Sequence, residues 1–212
     1  MITLFITAFA LGLIFNVAPG AIFAESLRRG AMGGYWPALY VQIGSLIGDA
    51  LWAILGLLGI GILLQAEMLK LPVGLLGGTY LIYLAYESWR GASISDDAAP
   101  LIDTRTTASM SAARSGVILS ITNPQNIAYW AALGSAFGAI GVTHPTASDY
   151  IIFFSGFMAS SILWCFVCAA LIARLFRGRS RLWQVWTYRI CAVAFLYLGG
   201  GTLWSIFRPL FG

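Results

Sequence analysis

Apolar stretches long enough to cross a bilayer alternate along this chain with short polar joins. Windows of about 20 apolar residues mark six spans, at roughly 2–24, 37–63, 70–89, 114–137, 149–173 and 186–207. The second and fifth are long enough to tilt or to include interfacial turns. The longest polar connection, between Arg90 and Arg114, holds Ser93, Asp96, Asp97, Pro100 and Asp103 and reads as a linker. The pattern therefore predicts an all-α integral membrane protein: residues 1–90 as a first set of three helices, 91–113 as a cytoplasmic linker, and 114–212 as a second set.

Two spans break their own pattern. Asn16-Val17-Ala18-Pro19-Gly20 interrupts the first and Thr122-Asn123-Pro124-Gln125-Asn126 the fourth. A proline inside a helix frees a backbone carbonyl and bends the chain, and in hydrocarbon each freed polar group needs a partner in protein or cavity water. Helices 1 and 4 are thus expected to be kinked or broken at Pro19 and Pro124. Such a break, once in each half, is where transporters place their binding sites. Asn16, Pro19, Gly20, Asn123, Pro124, Gln125 and Asn126 become candidate substrate-binding positions.

Composition and charge add the solvent and the orientation. Of 212 residues, 59% are hydrophobic and only 9% charged, against about 25% charged in an ordinary soluble domain. Of the twelve basic residues, Arg28, Arg29, Arg90, Arg105, Arg114, Arg174, Arg177, Arg179, Arg181 and Arg189 share one side of the six-span arrangement, and only Lys70 and Arg208 fall on the other. Positive charge marks the cytoplasmic side, so both termini are expected outside. Residues 1–24 lack the basic start and small-residue cleavage site of a signal peptide. The arginines at 174–181 fit anionic lipid headgroups better than nucleic acid.

With three spans in each half and the halves entering from opposite sides, the arithmetic is that of two inverted three-helix repeats. Tyr80-Leu81-Ile82-Tyr83-Leu84 in span three and Phe195-Leu196-Tyr197-Leu198-Gly199 in span six are a faint sequence echo. The costliest residue is Asp49, near the centre of span two. A carboxylate there costs on the order of 3 kcal/mol, and intramembrane acids usually face a cavity and serve ion or proton movement. Gln42, Ser45 and Asp49 share one helical face, which makes Asp49 the candidate for proton coupling and adds Gln42 and Ser45 to the binding positions. The alternative is that Asp49 only glues helices by hydrogen bonding to Asn16 or Asn123. Gly44 and Gly48 form a small-xxx-small surface that admits a close neighbour.

Other residues point less sharply. Glu25, four residues before Arg29, predicts a helical ion pair with a gate role behind it, and Glu87 with Arg90 is similar. Trp36, Trp89, Trp183 and Trp186 fit an interfacial belt. Tyr80 and Tyr197 are open to cavity lining or to packing, and Gly74/Gly78 and Gly134/Gly138 to burying a neighbouring helix or the second subunit of a homodimer. Cys165-Phe166-Val167-Cys168 has redox-pair spacing, so a membrane thiol-disulfide electron carrier is one alternative; no basic residue beside it stabilises a thiolate. A metal-ion transporter is another, although the lone His144 has no clustered partner. No metal site, cofactor or hydrolytic triad is assembled by these residues.

Taken together, Ala18-Pro19-Gly20 with Ser26-Leu27-Arg28-Arg29-Gly30, Gly44 to Gly48-Asp49, Gly77-Gly78-Thr79-Tyr80-Leu81-Ile82-Tyr83-Leu84 and Thr122-Asn123-Pro124-Gln125 make the chain resemble the lysine exporter (LysE/RhtB-type) amino-acid efflux family over nearly its whole length. The resemblance implies proton-driven export of amino acids or related small metabolites across a bacterial inner membrane. It also implies that Pro19, Gly20, Asp49, Asn123 and Pro124 sit at matching functional positions. The family's first motif commonly reads Pro-Gly-Pro, and here the third position is Ala21. The expected function is therefore a secondary transporter, not an enzyme, with alternating access and protons as the counter-ion.

Overall fold

A computed structural model describes residues 1–57, 67–93, 105–123, 126, 146–177 and 180–208. Among them are seven helices: α1 Ile2–Val17, α2 Ala21–Gly33, α3 Tyr35–Leu57, α4 Glu67–Ser93, α5 Arg105–Ile121, α6 Ala147–Phe176 and α7 Arg181–Phe207. Three of these, α3, α6 and α7, are each long and apolar enough to cross a membrane, and α1 with α2 qualify jointly as a pair bent by 61°. Helix α4 carries Pro72 in its first turns. The polar stretch 91–113 is helical at both described ends, to Ser93 and from Arg105. Pro124 and Gln125, Gly134 and Gly138, and His144 lie outside the described residues.

The bend between α1 and α2 has a local cause. Helix α1 stops at Val17, and Ala18 takes an extended conformation (φ −60°, ψ 125°), as the residue before a proline is forced to do. Gly20 is extended as well and caps α2. The turn from α2 into α3 uses Gly34 at φ 72°, a left-handed conformation that a Cβ would disfavour.

Three helix pairs carry most of the packing: α1 with α6, α3 with α5, and α4 with α7. Lipid tails are as apolar as leucine, so close approach of small residues rather than water exclusion holds membrane helices together. Gly12 and Gly156 serve α1 and α6, the latter against the Phe5 carbonyl. Gly44 lies against the Ala113 carbonyl and Gly116 against that of Val41 between α3 and α5, while Gly74 and Gly78 meet Ile206 and Leu203 of α7. The Gly74/Gly78 face is thus used inside the chain. Helix α2 sits centrally, touching α3, α5, α6 and α7.

Apolar clusters fill the two ends of the bundle. Leu4, Ala8, Trp52, Phe153 and Phe157 join α1, α3 and α6 at one end. Ala38, Leu39, Cys165, Cys168 and Ile172 join α3 and α6 at the other. At that second end Arg29 of α2 donates to Ser111 of α5 at 3.1 Å, and Arg28 reaches Glu87 of α4 at 3.1 Å. Arginine-bearing ends of helices from both halves of the chain therefore meet on one side.

Candidate functional site

A cavity of about 360 Å³ lies where the α1–α2 break faces the middle of α3 and the end of α5. The break contributes Asn16, Ala18, Pro19 and Gly20, α3 contributes Gln42, Ser45 and Asp49, and the segment after α5 contributes Asn123 and Asn126. Ile14, Phe15, Ile22, Phe23 and Trp164 form the apolar walls. Asp49 is the sole ionisable side chain among the described lining residues.

Helix α2 points its start into this space. The first helical N–H groups have no acceptor within their own helix; the first such bond here is from Ala24 N to Gly20 O at 3.0 Å, and no side chain caps the terminus. Ala21, Ile22 and Phe23 thus present N–H groups and the positive end of the helix dipole, about half an elementary charge, at the cavity wall.

Asp49 is 2% exposed. Its Oδ1 accepts from Ser120 Oγ of α5 at 2.8 Å and, at 3.5 Å, from Asn126 Nδ2. Asn126 also donates to the Ser120 carbonyl at 3.1 Å, which accepts from Trp52 Nε1 at 3.1 Å too. Asn123 Nδ2 in turn donates to Asn126 Oδ1 at 3.3 Å. The carboxyl group sits beside Ser120 because Gly48, one residue earlier, packs against that serine without a side chain of its own. Asp49 Oδ2 has no hydrogen-bond partner among the described residues.

The remaining predicted positions divide. Asn16 donates to the Gly12 carbonyl at 2.6 Å and to Ser161 Oγ of α6 at 3.0 Å, which ties the last turn of α1 to α6. Gln42 donates to Ser26 Oγ at 2.9 Å and towards Cys168 Sγ at 3.4 Å. Ser45 turns its hydroxyl to the Gln42 carbonyl. The glue expected between Asp49 and Asn16 or Asn123 is absent among the described residues; Ser120 and Asn126 take those places.

Beyond the cavity lies an ion cluster. Glu25, 0% exposed, receives two bonds from Arg28, at 2.7 and 2.8 Å, and one from Arg29 at 2.8 Å. The expected Glu25–Arg29 pair is present, with the larger share going to Arg28. The similar pairing expected of Glu87 and Arg90 is not what forms: Glu87 pairs with Arg28, and the Arg90 guanidinium stands 5.7 Å from the Tyr86 ring. Tyr197 is 79% exposed on the outside of α7 and is not among the described residues lining this cavity. The thiols of Cys165 and Cys168 are free and buried in an apolar cluster, a setting in which cysteine behaves as a small hydrophobe. Among the described residues no group of three or more histidine, cysteine or acidic side chains converges as metal ligands.

Sequence reasoning passed over Ser120, Trp164 and Ser161, and it gave Arg28 no part in the pairing of Glu25 and Glu87. Ser120 had a signal: it lies one turn before Pro124, on the span that had to approach Gly44 and Gly48. Trp164 had none, since its role follows only from how α6 crosses α1.

Comparison with known proteins gives a consistent result. The model of the LysE type translocator family matches residues 13–205. The chain is similar to the chemotactic transduction protein ChpE of Pseudomonas aeruginosa, with 44% identity across 94% of this chain and 97% of that protein. It is 25% identical to the putative amino acid efflux protein YcgF of Bacillus subtilis, with 82% of each chain covered. It is also 25% identical to the threonine efflux protein of Escherichia coli K12, over 86% of this chain and 89% of the other. No solved structure matches.

Proposed function

This chain belongs to the LysE type translocator family, a family of multi-pass bacterial membrane transporters, and on that premise we propose that it exports amino acids or closely related small metabolites from the cytoplasm by proton antiport. The observation that carries the reading is the cavity: the α1–α2 break and the acid-bearing face of α3 line one space that brings the carboxyl group of Asp49 together with the polar side chains of Asn16, Gln42, Ser45, Asn123 and Asn126. Named efflux proteins among the relatives support the substrate class. The binding residues are Asn16, Pro19, Gly20, Gln42, Ser45, Asn123 and Asn126, together with Pro124 and Gln125, and Asp49 carries the proton.

Alternating access follows from an inverted repeat of six spans, and the packing supports that arrangement. Successive contacts run Ala8–Gly156 and Gly12–Ser160 in one pair and Val41–Gly116 and Gly48–Ser120 in another, so α1 runs parallel to α6 and α3 runs parallel to α5. Contacts between α4 and α7 run the opposite way, from Gly74–Ile206 to Gly91–Tyr188. A two-fold axis in the membrane plane that exchanges the halves carries the first pair onto the second and the third onto itself. Rocking about that axis would expose the cavity to each side in turn, with the Glu25 cluster as the cytoplasmic gate. Both termini lie outside the cytoplasmic membrane in this arrangement.

The test is efflux of labelled amino acids from loaded vesicles under an imposed pH gradient. The native protein should move at least one of them faster when the trans side is acidic, and Asp49→Asn should lose that acceleration. An Asp49→Asn protein with native rate and undiminished pH dependence removes the coupling role. A second reading is favoured by the 44% identity to a chemotactic transduction protein: transport here serves a chemosensory system. Deleting the gene should then impair taxis, and unaltered taxis rejects it.

A further inference from the structure

We propose that Asp49 seats the ammonium group of the solute as well as the proton, so that the two exclude each other at one carboxylate and exchange arises from that competition. This rests on the export reading above and specifies how its two cargoes are linked. Three observations lead to it. Asp49 is the sole ionisable side chain among the described cavity residues, so no second acid is on hand to divide the work. Its two oxygens are unequal: Oδ1 is held by Ser120 and Asn126, whereas Oδ2 has no described partner. Finally, no ion pair among the described residues neutralises it.

The third point sets Asp49 apart from the other buried acid. Glu25 is bonded to both Arg28 and Arg29. Around Asp49, α5 supplies the Ser120 hydroxyl and the segment after it the Asn126 amide. Helix α6 brings the Cys165 thiol within electrostatic range, and α1 and α2 bring no charged side chain to the cavity. A buried carboxylate without a counter-charge is costly. It must hold either a proton or a cation from the cavity. A primary ammonium satisfies Oδ2 by charge and by hydrogen bond together.

The opposite requirement is met by another part of the same lining. An α-carboxylate fits the uncapped start of α2, where the N–H groups of Ala21, Ile22 and Phe23 converge. The apolar part of the lining, Ile14, Phe15, Ile22, Phe23 and Trp164, offers contact to the side chain, and no described lining residue other than Asp49 carries a charge to pair with a second one. The exchange balances as follows: protonated Asp49 gives up its proton to water, the carboxylate so formed takes the ammonium, and on release of solute to the outside one proton returns to the same oxygen. Neutral amino acids are therefore the preferred class, with lysine and glutamate disfavoured.

Calorimetry on purified protein in two buffers of different ionisation heat, with threonine, leucine, lysine and glutamate as probes, tests this. Binding of threonine or leucine should release about one proton, and affinity should weaken by about tenfold per pH unit on the acid side of the Asp49 titration. The deaminated analogue of threonine, 3-hydroxybutyrate, should bind without releasing a proton. Asp49→Glu should retain proton release, while Asp49→Asn, checked for an unchanged melting temperature, should lose it. Affinity that stays constant between about pH 5 and pH 9, with no proton released, overturns the shared seat even if vesicles still exchange amino acid for protons, and in that case the export reading stands. If none of the four probes binds and none moves in vesicles, both fall.

Discussion

At the scale of single residues, Ser120 and Gly20 separate holding the site together from leaving it open. Ser120→Ala removes the hydroxyl at 2.8 Å from Asp49 and leaves Oδ1 with the 3.5 Å contact to Asn126. An abandoned buried acceptor costs about 1–3 kcal/mol, so the variant should melt lower in detergent, and an unchanged melting temperature would contradict the assigned bond. Gly20 behaves oppositely. A Cβ built there meets nothing within 4 Å, and its extended backbone suits any residue, so Gly20→Leu should fold normally. Its side chain would project into the cavity, and transport should fall by more than about tenfold, the effect of misplacing a bound solute. A Gly20→Leu protein that transports normally would show that solute does not pass that wall. Ala21 adds a finer point. It occupies the first position of α2, where proline fits without strain, so Ala21→Pro deletes one N–H aimed at the cavity and should weaken solute binding without lowering stability.

At the scale of helices, the design depends on which pairs can touch. Gly48 lets α5 approach until Ser120 reaches the acid on α3. Gly48→Leu forces the two helices apart and should destabilise by about 1–3 kcal/mol, the usual cost of overpacking, while also abolishing the pH dependence of transport. The ion cluster at the arginine-bearing end is graded in the same way. Arg28→Ala leaves fully buried Glu25 with Arg29 alone, and breaking such a pair costs about 3–5 kcal/mol. Glu87→Gln, at a side chain 43% exposed, should cost less than about 1 kcal/mol. If the cluster is the cytoplasmic gate, Glu87→Gln should instead raise the leak of solute through protein lacking a gradient. Equal melting losses in the two variants would show that Arg28 is not the buried keystone of this contact.

At the scale of the molecule, orientation and packing pattern are the quantities to test. In a background with Cys165, Cys168 and Cys191 replaced by alanine, Ile2→Cys should react with an impermeant maleimide added outside intact cells. Met110→Cys, at the opposite end of the bundle and also exposed, should not. The reverse pattern would invert the topology and with it the assigned direction of transport. Retained transport in that background also argues against a thiol-disulfide carrier. The helices long enough to cross a membrane were legible because lipid asks each for some 20 apolar residues and leaves a visible scar wherever proline or a polar side chain enters. Asn16, Pro19, Gln42, Asp49 and Asn126 could each be picked out for that reason alone.

Partners were another matter, since a polar residue in an apolar helix announces that it needs a neighbour but not which one. The linear chain determined that this is a helical membrane protein, that its first helix stops just before Pro19, and that Asp49 is the exceptional charge. Tertiary structure alone decided that Ser120 and Asn126, not Asn16 or Asn123, hold that acid, that Glu87 crosses to Arg28, and that Trp164 lines the cavity. The reason is physical. Hydropathy and proline act through a residue's own segment and the solvent around it, whereas hydrogen-bond partners are fixed by how closely glycine-faced helices approach, a property of pairs of segments distant in sequence.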